Sequence, residues 1–140
     1  MAPITPVVLS ESGLRRVALT VGQPIYWAGP RRGSLYELTR TADNRSIVRY
    51  VPPGVVAGSS AGQYLSVATY PFIGAFNALQ SVADGGGFML PHGGLAVVNS
   101  RFPNAVHVAF PLVEYQVEVY DPSPARARAI ASSGKVQSIR

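Results

Sequence analysis

Apolar and polar positions along the chain fall into short stretches of definite period, cut by glycine and proline. Residues 1–10 carry Pro3 and Pro6 and show no period, which predicts an extended N-terminal arm ahead of a single domain over 11–140. Leu14, Val17, Ala18 and Val21 stand at the i, i+3, i+4, i+7 spacing of one helix face, with Ser10 or Ser12 as N-cap and Gly22 and Pro24 as the stop. Ile25-Tyr26-Trp27-Ala28 reads as a short aromatic strand ended by the turn cluster Gly29-Pro30-Arg31-Arg32-Gly33.

The clearest hairpin follows. The β-rich runs 35–41 and 45–51 flank Ala42-Asp43-Asn44, with Asn44 suited to the left-handed position of a three-residue loop. Setting Thr41 opposite Arg45 puts Glu37 against Arg49, Leu38 against Val48 and Tyr36 against Tyr50, a register that pairs opposite charges and like aromatics. Gly54, Gly58, Ser59, Ser60 and Gly62 mark a long loop over 54–63, after which 64–70 alternates as a strand up to Pro71. A helix from about Ile73 is predicted to bury Phe76, Leu79, Gln80 and Ala83 and to end at Asp84-Gly85-Gly86-Gly87.

Two further hairpins come next. Phe88-Met89-Leu90 and Leu95-Ala96-Val97-Val98 are joined through Pro91-His92-Gly93-Gly94. The runs 106–110 and 115–120 are joined through Pro111 to Glu114, and counting outward from that turn sets Val108 opposite Val117 and His107 opposite Glu118. Asp121-Pro122-Ser123-Pro124 opens a last helix, with proline tolerated in the first turn, that runs to about Ser132 and is capped by Gly134. The tail from Lys135 to Arg140 is placed as a possible edge strand. Adjacent hairpins need no crossover helices, so the plan is α+β: a mostly antiparallel sheet with about three helices packed on one of its faces.

Composition sharpens this plan mainly by exclusion. The 140 residues hold no cysteine, which removes disulfides, thiolate zinc sites, iron–sulfur clusters and thiol nucleophiles. No apolar run reaches the roughly 18 residues of a membrane span. The N-terminal stretch lacks a basic start and contains two prolines, so it does not read as a signal peptide. Net charge is +5, and every basic residue but Lys135 is arginine. These arginines are dispersed without a run of three, which reads as solvated surface and makes nucleic acid an unlikely partner.

Chemistry-bearing patterns are sparse. Gly85-Gly86-Gly87 follows its helix and therefore aims no helix N-terminus at a phosphate. Gly58-Ser59-Ser60-Ala61-Gly62 resembles a nucleophile elbow in composition only, since no strand leads into it. His107 across from Glu118 has the makings of a proton shuttle, although an imidazole beside a carboxylate on the wet face of a sheet more often forms a surface pair. Tyr26, Trp27, Tyr50 and Tyr64 lie among strand aromatics, which serve core packing and also stacking surfaces for ligands.

Five stretches carry a resemblance: Pro24-Ile25-Tyr26-Trp27-Ala28-Gly29-Pro30; Tyr36-Glu37-Leu38-Thr39-Arg40-Thr41; Arg49-Tyr50-Val51-Pro52-Pro53-Gly54-Val55; Thr69-Tyr70-Pro71; and the run from Tyr115 through Pro124. Over roughly residues 12 to 137 the chain resembles small envelope or secreted domain proteins of actinobacteria, a group to which no activity or ligand is attached. That resemblance implies an extracellular or cell-envelope location. The function expected from the sequence is a non-enzymatic binding or interaction domain of an exported protein, with no cofactor and no metal. It would contact a protein partner through Tyr26, Trp27, Tyr50, Tyr64, His107 and Glu118. The rival expectation is a structural subunit of a filament, shell or phage particle, in which Ile4, Val7, Val8 and Leu9 add a strand to a neighbour's sheet edge.

Overall fold

The computed structural model describes residues 6–60, 63–83 and 86–140. In chain order its elements are β1 (Val7–Leu9), α1 (Glu11–Thr20), β2 (Tyr26–Trp27), β3 (Leu35–Arg40), β4 (Ser46–Val51), β5 (Ser66–Pro71), α2 (Ala75–Ala83), β6 (Gly87–Met89), β7 (Leu95–Val98), β8 (Ala105–Ala109), β9 (Tyr115–Tyr120), α3 (Pro124–Ser132) and β10 (Gln137–Ser138). Eight strands form one sheet in the order β1-β3-β4-β5-β9-β8-β7-β6, with every neighbouring pair antiparallel. β10 and β2 make a separate antiparallel pair. The fold is a single α+β domain, as the hairpin pattern predicts.

The hairpin registers are the predicted ones. Glu37 faces Arg49, Leu38 faces Val48 and Tyr36 faces Tyr50, while Asn44 supplies the left-handed turn residue at φ 65°. Val108 faces Val117 and His107 faces Glu118. Because side chains alternate across a strand, these registers sort the sheet into two faces. One face carries Leu38, Val48, Val67, Val106, Val108, Val117 and Val119, all fully buried. Leu14, Val17 and Ala18 of α1 pack on it, as do Ala127, Ile130 and Ala131 of α3 and the β2–β10 pair.

The expectation that all helices share one face is corrected by α2. This helix lies on the opposite face, where Ala75 and Leu79 pack with Leu95 and Ala109 and are flanked by Phe76, Ala83 and Val97. The reason is topological. β5 sits in the middle of the sheet while β6 sits at its far edge, so the chain must cross four strand spacings, about 19 Å. Laid across β9, β8 and β7, nine helical residues cover about 13 Å of that path and bury the apolar positions those strands present there. Gln80, predicted on the buried face, is exposed, and Ala75 takes the buried position one turn earlier.

The described end of the predicted arm has a partner in the sheet. Val7, Val8 and Leu9 pair with Leu38, Glu37 and Tyr36 of the same chain, so these three residues are an edge strand of their own sheet. Ser10 then caps α1 by accepting the Gly13 N–H through its Oγ at 3.1 Å. Ile4 lies outside the described residues, as do Ala61, Gly62, Asp84 and Gly85 of the predicted turns. The tail behaves as an edge strand, but against β2 instead of the main sheet.

Candidate functional site

One concave site is built on two core tyrosines. Tyr36 of β3 and Tyr50 of β4 pack edge to face with ring centres 5.3 Å apart. Both hydroxyls reach out of the core to hold the turn after β2. Tyr50 Oη accepts the Ala28 N–H at 2.8 Å and donates to the Gly29 carbonyl at 2.7 Å, while Tyr36 Oη accepts the Arg31 N–H at 2.9 Å. Gly29 and Gly33 adopt φ of 79° and 81°, values that glycine takes without the Cβ clash other residues meet. Arg31 is therefore fixed at the rim of a groove, its guanidinium 5.9 Å from the centre of the Tyr50 ring.

The second wall is the strand approach at 63–65. The Tyr50 N–H donates to the Leu65 carbonyl, and Arg49 lies over the Tyr64 ring at 5.4 Å. Arg49 is itself held by a two-pronged pair with Glu37, at 3.0 and 3.1 Å, and donates to the Ser59 carbonyl, while the Glu37 carboxylate accepts the Gly58 N–H. The glycine-rich loop is thus pinned over the sheet through one buried carboxylate.

The third wall is the junction of β9 and α3. Asp121 is 3% exposed, and its Oδ2 accepts both the Ser123 N–H at 2.9 Å and Arg126 Nε at 3.0 Å. Asn104 braces the same corner by donating to the Asp121 and Pro122 carbonyls. Together Arg31, Tyr50, Gln63, Tyr64, Leu65, Asp121, Pro122 and Arg126 line an open groove of about 270 Å³. A second cavity of about 100 Å³ shares Arg31, Tyr50 and Leu65 and adds Lys135 and Ile130.

The six residues singled out in the sequence do not converge. Tyr50 and Tyr64 line the groove, but the Tyr50 hydroxyl is spent on the fold and its ring is 3% exposed. Tyr26 stacks on Phe110 at 5.5 Å, and Trp27 is a core residue tilted against Tyr36 with Arg15 over its ring at 5.0 Å. His107 and Glu118 occupy the other face of the sheet. There Gln116 Nε2 donates to Tyr70 Oη at 2.8 Å and lies 3.1 Å from His107 Nδ1, while Glu118 Oε1 is 3.8 Å from that nitrogen. An amide donor at Nδ1 leaves the imidazole proton on Nε2 when the ring is neutral. Burial, assisted by the Glu118 charge, pushes the Tyr70 phenol above its ordinary value.

Sequence reasoning missed Arg31, Arg126, Lys135 and Asp121. Among the arginines read as solvated surface, Arg40 is buried and donates to Ser46 Oγ and Arg49 is largely covered over the Tyr64 ring, while Arg45 and Arg128 stay exposed above Tyr70 and Phe88. Burying such a side chain is tolerable when its donors are satisfied and its stem covers apolar surface. Among the described residues no group of three or more His, Cys, Asp or Glu is placed to hold a metal ion, and no helix is long and apolar enough to cross a membrane. No family model matches the chain, and neither a curated protein nor a solved structure matches it.

Proposed function

We propose that the chain is a non-enzymatic binding domain of an exported protein, engaging a protein partner at the groove between the 29–33 turn, the 63–65 segment and the start of α3. The observation that carries this reading is the groove itself. Three separate parts of the chain converge on it, and each is braced by hydrogen bonds, buried at the 29–33 turn and part-buried at the start of α3, that set its position before any ligand arrives. Such preorganisation lowers the ordering cost of binding. The pairing of β1 with its own β3 supports a self-contained module over the filament, shell or phage subunit, because the arm's strand is already used within its own chain. The exported location rests on the sequence resemblance.

Heteronuclear NMR of the labelled protein against a library of neutral, cationic and anionic fragments tests the reading. Shift changes gathered on Arg31, Tyr64, Leu65 and Arg126 are expected. Changes gathered elsewhere, or none at all, would overturn it.

A further inference from the structure

We propose that the groove takes an acidic segment of its protein partner, with side-chain carboxylates seated between Arg31, Arg126 and Lys135; this rests on the binding-domain reading above. The charge balance points that way. Three cations line the two cavities, which share Arg31, Tyr50 and Leu65, against one carboxylate, Asp121, whose Oδ2 is already occupied by the Ser123 N–H and by Arg126 Nε. Elsewhere the carboxylates take up their neighbours: Glu11 holds Arg15, Glu37 holds Arg49 and Asp43 holds Arg45. In the groove the balance is left positive. The side chains of Arg31 and Lys135 make no hydrogen bond or ion pair among the described residues. Arg126 uses Nε on Asp121, and its side chain is 64% exposed, which leaves the outer edge of its fork facing solvent.

The donors that face the groove are side chains and not a backbone nest. α3 offers no free amide nest for a phosphate, since Ser123 Oγ accepts the Arg126 N–H and Asp121 accepts that of Ser123. What remains are side-chain donors, the guanidinium groups of Arg31 and Arg126 and the ammonium of Lys135, which pair with carboxylates. The two cavities also present the partly exposed Pro122 and Ile130 beside their cations, which suits a segment that carries apolar side chains as well as acidic ones. Nucleic acid is less well served. The Tyr50 ring is buried, and Arg49 covers a face of Tyr64, so the stacking platforms single strands need are lacking in this groove.

Fluorescence anisotropy tests the proposal with a labelled hexapeptide alternating glutamate and leucine. Its lysine–leucine counterpart, inorganic phosphate and a short oligothymidylate serve as competitors. Saturable binding of the acidic peptide that weakens with added salt is expected. Arg31→Glu and Lys135→Glu should each weaken it about tenfold or more, whereas Arg101→Glu, an equal charge change on an exposed loop, should leave it within about twofold. Circular dichroism of each variant verifies that the fold is kept. Equal losses in all three variants would reduce the effect to net charge and overturn the proposal. Displacement by phosphate or oligothymidylate at the peptide's own concentration would overturn it in favour of a phosphate ligand. Fragments bound at the groove without peptide binding would overturn the acidic class alone, and a groove that binds nothing would overturn the binding-domain reading with it.

Discussion

Tyr50 joins the core to the groove through a single oxygen. Its hydroxyl satisfies the Ala28 N–H and the Gly29 carbonyl, so Tyr50→Phe strands two buried polar groups and should cost about 1–3 kcal/mol at neutral pH. Burial pushes the Tyr50 phenol well above its ordinary value of 10.0, and Tyr26 and Tyr70 are raised for the same first reason. The unfolded chain therefore releases these protons first. The stability they contribute is complete below about pH 10 and drains as pH climbs toward the folded values, for Tyr50 by up to about 1.4 kcal/mol per pH unit. Urea midpoints should show Tyr50→Phe well below the parent protein at pH 7, with the gap narrowing by pH 11. An equal gap at both values would mean that the phenol does not titrate with unfolding. At this scale the sequence revealed the aromatics and little else of the site. Tyr50 and Tyr64 stood out by residue type, but Arg31 comes to share one cavity with Arg126 and another with Lys135 only after distant segments close on one another, and dispersed arginines carry no local sign of that.

Elements were legible wherever their determinants were local. The β3–β4 and β8–β9 registers follow from turn length and from opposite charges or like side chains facing each other, all within a few residues. The side of the sheet taken by α2 was not legible, because it depends on where β6 docks and not on the period of α2 itself. The place of β1 was hidden for a related reason. Val7, Val8 and Leu9 have the side chains of an added strand, but which edge takes them is set by where β3 lies in the sheet. That edge sets a prediction: a chain lacking residues 1–9 loses the packing of Val7 and Leu9 and should be less stable by about 2 kcal/mol. It also bares the outer side of six-residue β3, which should raise its sedimentation coefficient with concentration. A truncated chain that stays monomeric and as stable as the parent would show that β1 contributes nothing.

For the molecule as a whole, the arrangement that matters is the seam between β5 and β9, six residue pairs long, in the middle of the sheet. All main-sheet ladders on one side of it belong to residues before 84, and all on the other side to residues after 85. β10 reaches back across the same divide to clasp β2, where the Ile139 N–H also donates to the Ile25 carbonyl at 2.8 Å. Each half is thus a meander with one long open edge shaped for the other. Cut between residues 83 and 86, the chain becomes a two-piece lock. Mixed in equal amounts, the two peptides should recover the circular dichroism spectrum of the parent, whereas either alone should not. In a pair brought together by fused tags, the groove, with Tyr64 from one piece and Arg126 from the other, would form only upon reunion, making ligand capture a report of proximity.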